Sequence, residues 1–70
     1  MAEIRAEMVA NVWKVLVSEG DQVDDGDTLV ILESMKMEIP VLAERPGTVT
    51  KLHVAEGDVV QEDELIAEIG

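Results

Sequence analysis

The sequence predicts an all-β domain, a sandwich or barrel of short strands, and three observations support this prediction. Apolar and polar residues alternate through two runs rich in β-branched residues, 11–17 and 48–54, and a period of two indicates a strand with one buried face. A Glu-Gly-Asp sequence follows each run, at 19–21 and 56–58, and glycine accepts the positive φ that many turns require. The third observation is an internal repeat.

A shift of 37 residues superposes residues 6–33 on residues 43–70 without a gap. Nine pairs are identical: Ala6/Ala43, Glu7/Glu44, Val12/Val49, Lys14/Lys51, Val17/Val54, Glu19/Glu56, Gly20/Gly57, Asp21/Asp58 and Val23/Val60. Two copies are too few for a solenoid, and each is too short to bury its apolar face alone. We therefore expect residues 1–70 to form one domain in which the copies pack as a pseudo-two-fold barrel or sandwich.

Residues 34–42 join the two copies and match nothing in either of them. Their symmetry mate would be a segment that joins the carboxyl terminus back to the amino terminus. We therefore expect residues 34–42 to form a hairpin that projects from one end of the domain, with both termini at the other end. A turn also remains feasible over residues 8–11, because Asn11 tolerates left-handed backbone geometry.

The three lysines separate into a matched pair and a single residue. Lys14 and Lys51 hold equivalent positions in the two copies, which predicts a shared structural role on a solvated strand face. Lys36 has no counterpart and lies between Met35 and Met37 in the inter-copy segment. Two interpretations remain open at this point: an ordinary hairpin with a lysine at its tip, or a loop that displays Lys36 for function.

Composition excludes several classes of function. The net charge is −11, and such a surface repels nucleic acids and anionic membranes; it suits a soluble monomer, or serves solubility alone. The chain has no cysteine, so disulfide and thiol chemistry are absent, which fits a cytoplasmic location. The apolar runs are too short to span a bilayer. We expect no secretory signal, because residues 1–5 contain no basic segment followed by an apolar stretch. A core of this size leaves little room for an active site, so we expect no enzyme.

Four segments, in order along nearly the whole chain, resemble the biotinyl domain family, the carriers of biotin-dependent carboxylases. They are the EGDxV turn at 19–23, LESMKME at 32–38, Gly-Thr-Val at 47–49 and EGDVV at 56–60. The chain is most similar to the free-standing single-domain biotinylated proteins of actinobacteria. The resemblance implies a flattened barrel of two four-stranded antiparallel sheets, with Lys36 at the tip of a tight hairpin.

The resemblance also implies a function for Lys36. A biotin protein ligase would attach biotin covalently to this lysine, and the biotin would carry carboxylate between biotin carboxylase and carboxyltransferase components. Met35 and Met37 look like the flanking pair that contacts these partners, although one of them could pack on the hairpin base instead. Glu33 is a candidate for recognition by the ligase. Glu33 and Glu38 would favour a protonated lysine, unless both are solvated charges.

Two rival functions are a lipoyl-type acyl carrier domain, whose attachment sites usually present Asp-Lys rather than Met-Lys-Met, and an unmodified structural barrel. A calcium loop beginning at Asp21 is not expected, since its third and twelfth positions hold Val23 and Leu32 rather than oxygen ligands. We expect no metal site and no catalytic residue. His53 is interpreted as a tolerated strand residue, and Trp13 as a packing or partly exposed side chain.

Overall fold

The computed structural model describes residues 2–70, which form eight β-strands. They are β1 (Ala2–Arg5), β2 (Ala10–Val15), β3 (Gln22–Val23), β4 (Thr28–Ser34), β5 (Met37–Leu42), β6 (Gly47–Leu52), β7 (Val59–Val60) and β8 (Leu65–Ile69). These strands form two four-stranded antiparallel sheets. One sheet, here called the terminal sheet, has the order β1-β8-β6-β3, and the other, the hairpin sheet, has the order β5-β4-β2-β7. The predicted fold class is confirmed.

The strands repeat with the same period as the sequence. A shift of 37 residues places β2 on β6 and β3 on β7, and the pairs β1/β5 and β4/β8 overlap in the same way. The shift therefore converts one sheet order into the other. Each sheet contains two strands from each half of the chain, so neither half completes a sheet without the other.

The core lies between the two sheets and contains only apolar side chains among the described residues. Its fully buried members are Val12, Leu29, Val30, Leu32, Val49, Val60, Ile66, Ala67 and Ile69. Most are repeat mates, such as Val12 with Val49 and Leu29 with Ile66. The alternation that predicted strands thus supplies one buried face per sheet, and the two faces cover each other.

The Glu-Gly-Asp sequences form the predicted turns in both copies. Gly20 has a φ of +95°, and the Asp21 carboxylate accepts a hydrogen bond from the Ser18 amide at 2.9 Å. In the second copy Gly57 has a φ of +94°, and the Asp58 carboxylate accepts from the Ala55 amide at 2.8 Å. Each aspartate therefore closes its own turn.

The glutamates of the same turns connect the two copies. The Glu19 carboxylate accepts a hydrogen bond from the amide of Leu52 at 3.0 Å. In the equivalent contact of the other copy, the Glu56 carboxylate accepts a hydrogen bond from the amide of Val15 at 3.2 Å. Both amides lie at the last residue of a β-strand, so each glutamate caps a strand end that belongs to the other half of the chain.

The turn before β2 is present, but Asn11 takes no part in it. Asn11 lies inside β2, in register with Glu33 of β4, and it is not among the residues with positive φ. The chain bends earlier, over residues 7–9, so a left-handed residue is unnecessary at position 11. A left-handed residue occurs instead at Asp63, whose φ is 69° and which matches Gly26 in the repeat.

The β4–β5 turn and the chain termini lie at opposite ends of the molecule. Ala2 pairs with Ile69, and the Thr48 amide donates to the Gly70 carbonyl at 3.0 Å, which gathers both termini at one end of the terminal sheet. Val23 pairs with Gly47 at this end. After one further turn the chain enters β4 at Thr28, and β4 then runs away from the termini to Ser34. The hairpin tip is therefore at the far pole of the 31 × 17 × 17 Å molecule.

Candidate functional site

The site begins with the pairing of β4 and β5, which holds the inter-copy segment as a tight hairpin. Glu33 lies opposite Glu38, and Ser34 lies opposite Met37. Ser34 ends β4 and Met37 begins β5, so two residues alone, Met35 and Lys36, form the loop. Register pairing on both sides fixes the position of Lys36 at the tip.

The two loop residues have an unusual backbone conformation. Met35 has a φ of 53° and Lys36 a φ of 64°, and positive φ at both central residues identifies a type I′ turn. This turn matches the right-handed twist of paired strands, but it normally selects Asn and Gly. Each residue with a Cβ costs roughly 1 kcal/mol in this region. The hairpin therefore retains two unfavourable residues where stability alone would favour others.

The two methionines beside the lysine are displayed to solvent. The exposed fraction is 92% for Met35 and 65% for Met37. Neither side chain is buried in the hairpin base, which was the alternative for one of them. Large apolar side chains rarely gain stability from such positions. Their exposure next to Lys36 is therefore not explained by packing within the domain.

Lys36 is exposed, and among residues 2–70 it takes part in no ion pair. Glu33 and Glu38 are also exposed and stand one register pair behind the loop. They do not bind the ammonium group, so they behave as solvated charges in the free domain. The Lys36 amine is therefore free at the end of its four-carbon stem, which fits covalent attachment of a group through a single amide bond.

The other residues considered from sequence lie away from this tip. Within residues 2–70 no three metal-ligating side chains converge, and the Asp21 and Asp27 carboxylates accept hydrogen bonds from turn amides instead. His53 follows β6 and its Nε2 lies 2.9 Å from a Glu68 carboxylate oxygen. Across the stretch that the structure covers, no helix has the length and apolar character needed to cross a membrane.

The turn type of the hairpin was not predicted from the sequence. The residues that normally announce a type I′ turn, Asn-Gly or Asp-Gly, are replaced here by Met35 and Lys36. The apolar runs on either side, 29–32 and 39–42, leave six positions between them, so their spacing indicates a hairpin but does not reduce its loop to two residues.

Comparison with known proteins places this geometry in a family. The family described as "Biotin-requiring enzyme" matches residues 2–69. A relative from Mycobacterium leprae, "Biotinylated protein TB7.3 homolog", is 63% identical over 70 residues, which is 99% of this chain and 99% of that protein.

Two solved structures share the fold. The urea carboxylase of Kluyveromyces lactis superposes with a TM-score of 0.92 at 35% identity, over 99% of this chain and 6% of that one. The lipoyl domain of the 2-oxoglutarate dehydrogenase complex of Azotobacter vinelandii superposes with a TM-score of 0.86 at 25% identity, over 100% of this chain and 96% of that one. This chain is thus a member of the biotin/lipoyl attachment-domain family.

Proposed function

We propose that this protein is a biotin carrier domain in which Lys36 is the attachment residue. The observation that carries the proposal is the position of Lys36, the one lysine without a repeat mate, on a two-residue loop at one pole of a domain of the biotin family. Lys14 and Lys51 lie instead within β2 and β6, where they pair with Ile31 of β4 and Glu68 of β8.

The attachment step uses the Lys36 amine as a nucleophile. A biotin protein ligase supplies biotin as its adenylate, and the lone pair of the Lys36 Nζ attacks the acyl carbon of that adenylate. The amide bond forms, the bond to the adenylate oxygen breaks and AMP leaves. Because an ammonium group has no lone pair, the ligase has to accept a proton from Lys36 before or during the attack.

After attachment, the fold determines how the arm can move. The modified lysine stands at the pole opposite the termini, and no described residue holds its amine in an ion pair. When bound, biotin supplies a nitrogen that accepts and releases a carboxyl group. The rigid barrel and the flexible lysine stem together let this group reach two separate active sites.

The proposed partners follow from this role. The ligase is one partner, and a biotin carboxylase and a carboxyltransferase component are the others, since the fold match to urea carboxylase covers one segment of a much larger protein. The domain itself is a carrier and not a catalyst. We propose that it is a monomer that acts in the cytoplasm, where a cysteine-free chain requires no oxidising environment.

A lipoyl-type carrier is the second candidate, because the lipoyl domain from Azotobacter vinelandii matches the whole chain. Intact-mass spectrometry separates the two functions. The purified protein is incubated with ATP and either a biotin protein ligase plus biotin or a lipoate ligase plus lipoate. We expect one biotinyl group and no lipoyl group; a lipoyl adduct in the absence of a biotinyl adduct would overturn the proposal.

Three matched variants, one at each lysine, locate the attachment. Lys36→Arg keeps the charge but removes the primary amine, and we expect complete loss of biotin incorporation. Lys14→Arg and Lys51→Arg are the controls, since they alter the two repeat-matched lysines, and we expect normal incorporation. Incorporation into the Lys36→Arg variant would show that another lysine is the acceptor, and an unmodified structural barrel would incorporate nothing in any variant.

A further inference from the structure

The exposed apolar side chains are distributed unequally between the two sheets. The large ones among residues 2–70 are Met8, Val9, Trp13, Leu16, Met35, Met37, Leu42 and Val59. All of them lie in the hairpin sheet or directly beside its strands, and the terminal sheet has none. The two sheets are related by the repeat and share one core, so the core does not require this difference.

The repeat shows which residue is sufficient for folding at each of these positions, because the other copy has an equivalent position in the terminal sheet. The mate of Trp13 is Thr50, and the mate of Val59 is Gln22. Both mates are exposed in their sheet. A polar residue therefore satisfies the fold at these positions, and the apolar residue on the hairpin sheet must have another purpose.

Trp13 and Val59 belong to one surface. Val59 lies opposite Asn11 of β2, and Asn11 lies opposite Glu33 of β4, so this row crosses the sheet directly below the lysine loop. Trp13 follows on β2, at a β-bulge between Val12 and Lys14, and bulges commonly redirect a side chain. Val9 precedes the same strand and is 54% exposed. Val9, Trp13 and Val59 are called the Trp13 patch below.

The indole ring faces solvent beside a neighbouring cation. The Lys14 Nζ lies 5.5 Å from the centroid of the Trp13 ring, within the range of a cation–π contact. Trp13 is 43% exposed and Val59 is 56% exposed. A tryptophan side chain combines a large apolar area with few rotatable bonds, which favours it as an anchor in an interface.

We propose that the Trp13 patch is the docking surface for the biotin protein ligase. The proposal rests on the function proposed above for Lys36. A ligase that brings its active site to the unmodified amine must cover this part of the sheet.

The carboxylase components face a different constraint. They meet the end of the lengthened biotinyl arm, so they can act without contact with the sheet. The ligase must approach the protein surface itself. The partner surface that fits the Trp13 patch is an apolar slot with a basic rim, because Glu33 and Glu38 stand beside the patch.

Exchange of residues between repeat mates provides the test. The Trp13→Thr and Val59→Gln variants place on the hairpin sheet the residues that the terminal sheet uses at the same positions. With biotin and ATP saturating and the domain varied, we expect Trp13→Thr to raise the KM of the ligase for the domain roughly tenfold, with kcat nearly unchanged. Thr50→Ala on the opposite sheet is the control and should leave KM unchanged.

A binding measurement checks the same claim independently of folding defects. Trp13 is the sole tryptophan, so incorporation of 5-fluorotryptophan gives one ¹⁹F resonance. Titration with ligase in the absence of ATP should change the chemical shift of this resonance, whereas broadening alone would report only the slower tumbling of the complex. If the wild type is biotinylated but KM is unchanged in the variants and the resonance does not respond, the docking surface is wrong and the carrier function stands. If the wild type is not biotinylated at all, the function itself fails.

Discussion

At the scale of the residue, the loop that carries Lys36 contains residues that lower the stability of the folded domain. Met35 occupies the first central position of a type I′ turn with a φ of 53° and is almost fully exposed. Its side chain gains little from burial and its backbone is in a region that Asn tolerates better. The sequence therefore retains methionine at this position for a reason other than folding.

The Met35→Asn variant tests this conclusion. We expect it to raise the free energy of unfolding by about 0.5–1 kcal/mol, measured by urea denaturation, and to reduce biotin incorporation. Met37→Asn is the control, because Met37 has no positive φ and should gain nothing in stability. A Met35→Asn protein that is both no more stable and fully active as a biotin acceptor contradicts the account.

Asp63, a left-handed residue outside the lysine loop, shows what the repeat can predict. Asp63 has a φ of 69° in the turn where the other copy uses Gly26, whose φ is 92°. We expect Asp63→Gly to stabilise the domain, and Gly26→Asp to destabilise it, each by roughly 0.5–1 kcal/mol. Thermal and urea unfolding of both variants measure the two effects, and equal signs for the pair would show that the turns are not equivalent.

At the scale of the element, each Glu-Gly-Asp turn acts on a strand of the other copy. The Glu19 carboxylate binds the amide at the end of β6, and the Glu56 carboxylate binds the amide at the end of β2. Both contacts are exposed to solvent, so each is worth about 0.5–1.5 kcal/mol.

Alanine variants measure this pairing. Glu19→Ala and Glu56→Ala should each lower the free energy of unfolding by that amount, about 1 kcal/mol, and by similar values because the contacts are symmetric. Their effects should add in the double variant, since the two sites share no partner. Glu62→Ala is a suitable control, because Glu62 makes no side-chain hydrogen bond or ion pair among residues 2–70. A lower free energy of unfolding in only one of the two variants would mean that the two contacts do not contribute equally to stability.

The sequence predicted most of these elements and missed others for identifiable reasons. The alternating runs and the Glu-Gly-Asp turns were predicted because their signals are local. The turn before β2 ends earlier than the left-handed preference of Asn11 suggested, since Asn11 is paired with Glu33 across β2 and β4, and a long-range partner overrides a local preference. The exposure of Trp13 could not be decided from the sequence, because a bulge determines which way that side chain points.

At the scale of the whole molecule, repulsion between the acidic side chains acts against the compact folded state. The net charge of −11 is confined to a body of 31 × 17 × 17 Å. At 10 mM salt the screening length is about 30 Å, so every carboxylate repels every other, whereas at 150 mM it is about 8 Å. Self-repulsion of this kind destabilises the compact state.

Stability should therefore rise with ionic strength. Between 10 mM and 150 mM sodium chloride we expect a gain of about 1 kcal/mol, which corresponds to roughly 4–8 °C in Tm for a domain of this size. Calorimetry at fixed pH measures the shift, with an equal osmolality of glycerol at 10 mM salt to control for effects unrelated to charge. A Tm that is constant or falls with salt would show that the acidic residues are already compensated.

The central claim concerns the one lysine that the repeat does not explain, and peptide mapping of the protein from its native cells tests it most directly. Streptavidin capture followed by tandem mass spectrometry identifies both the attached group and the residue that carries it. The account predicts a single biotinyl group on Lys36 and none on Lys14 or Lys51. A biotinyl group on either strand lysine, or a protein that is never captured, would contradict it.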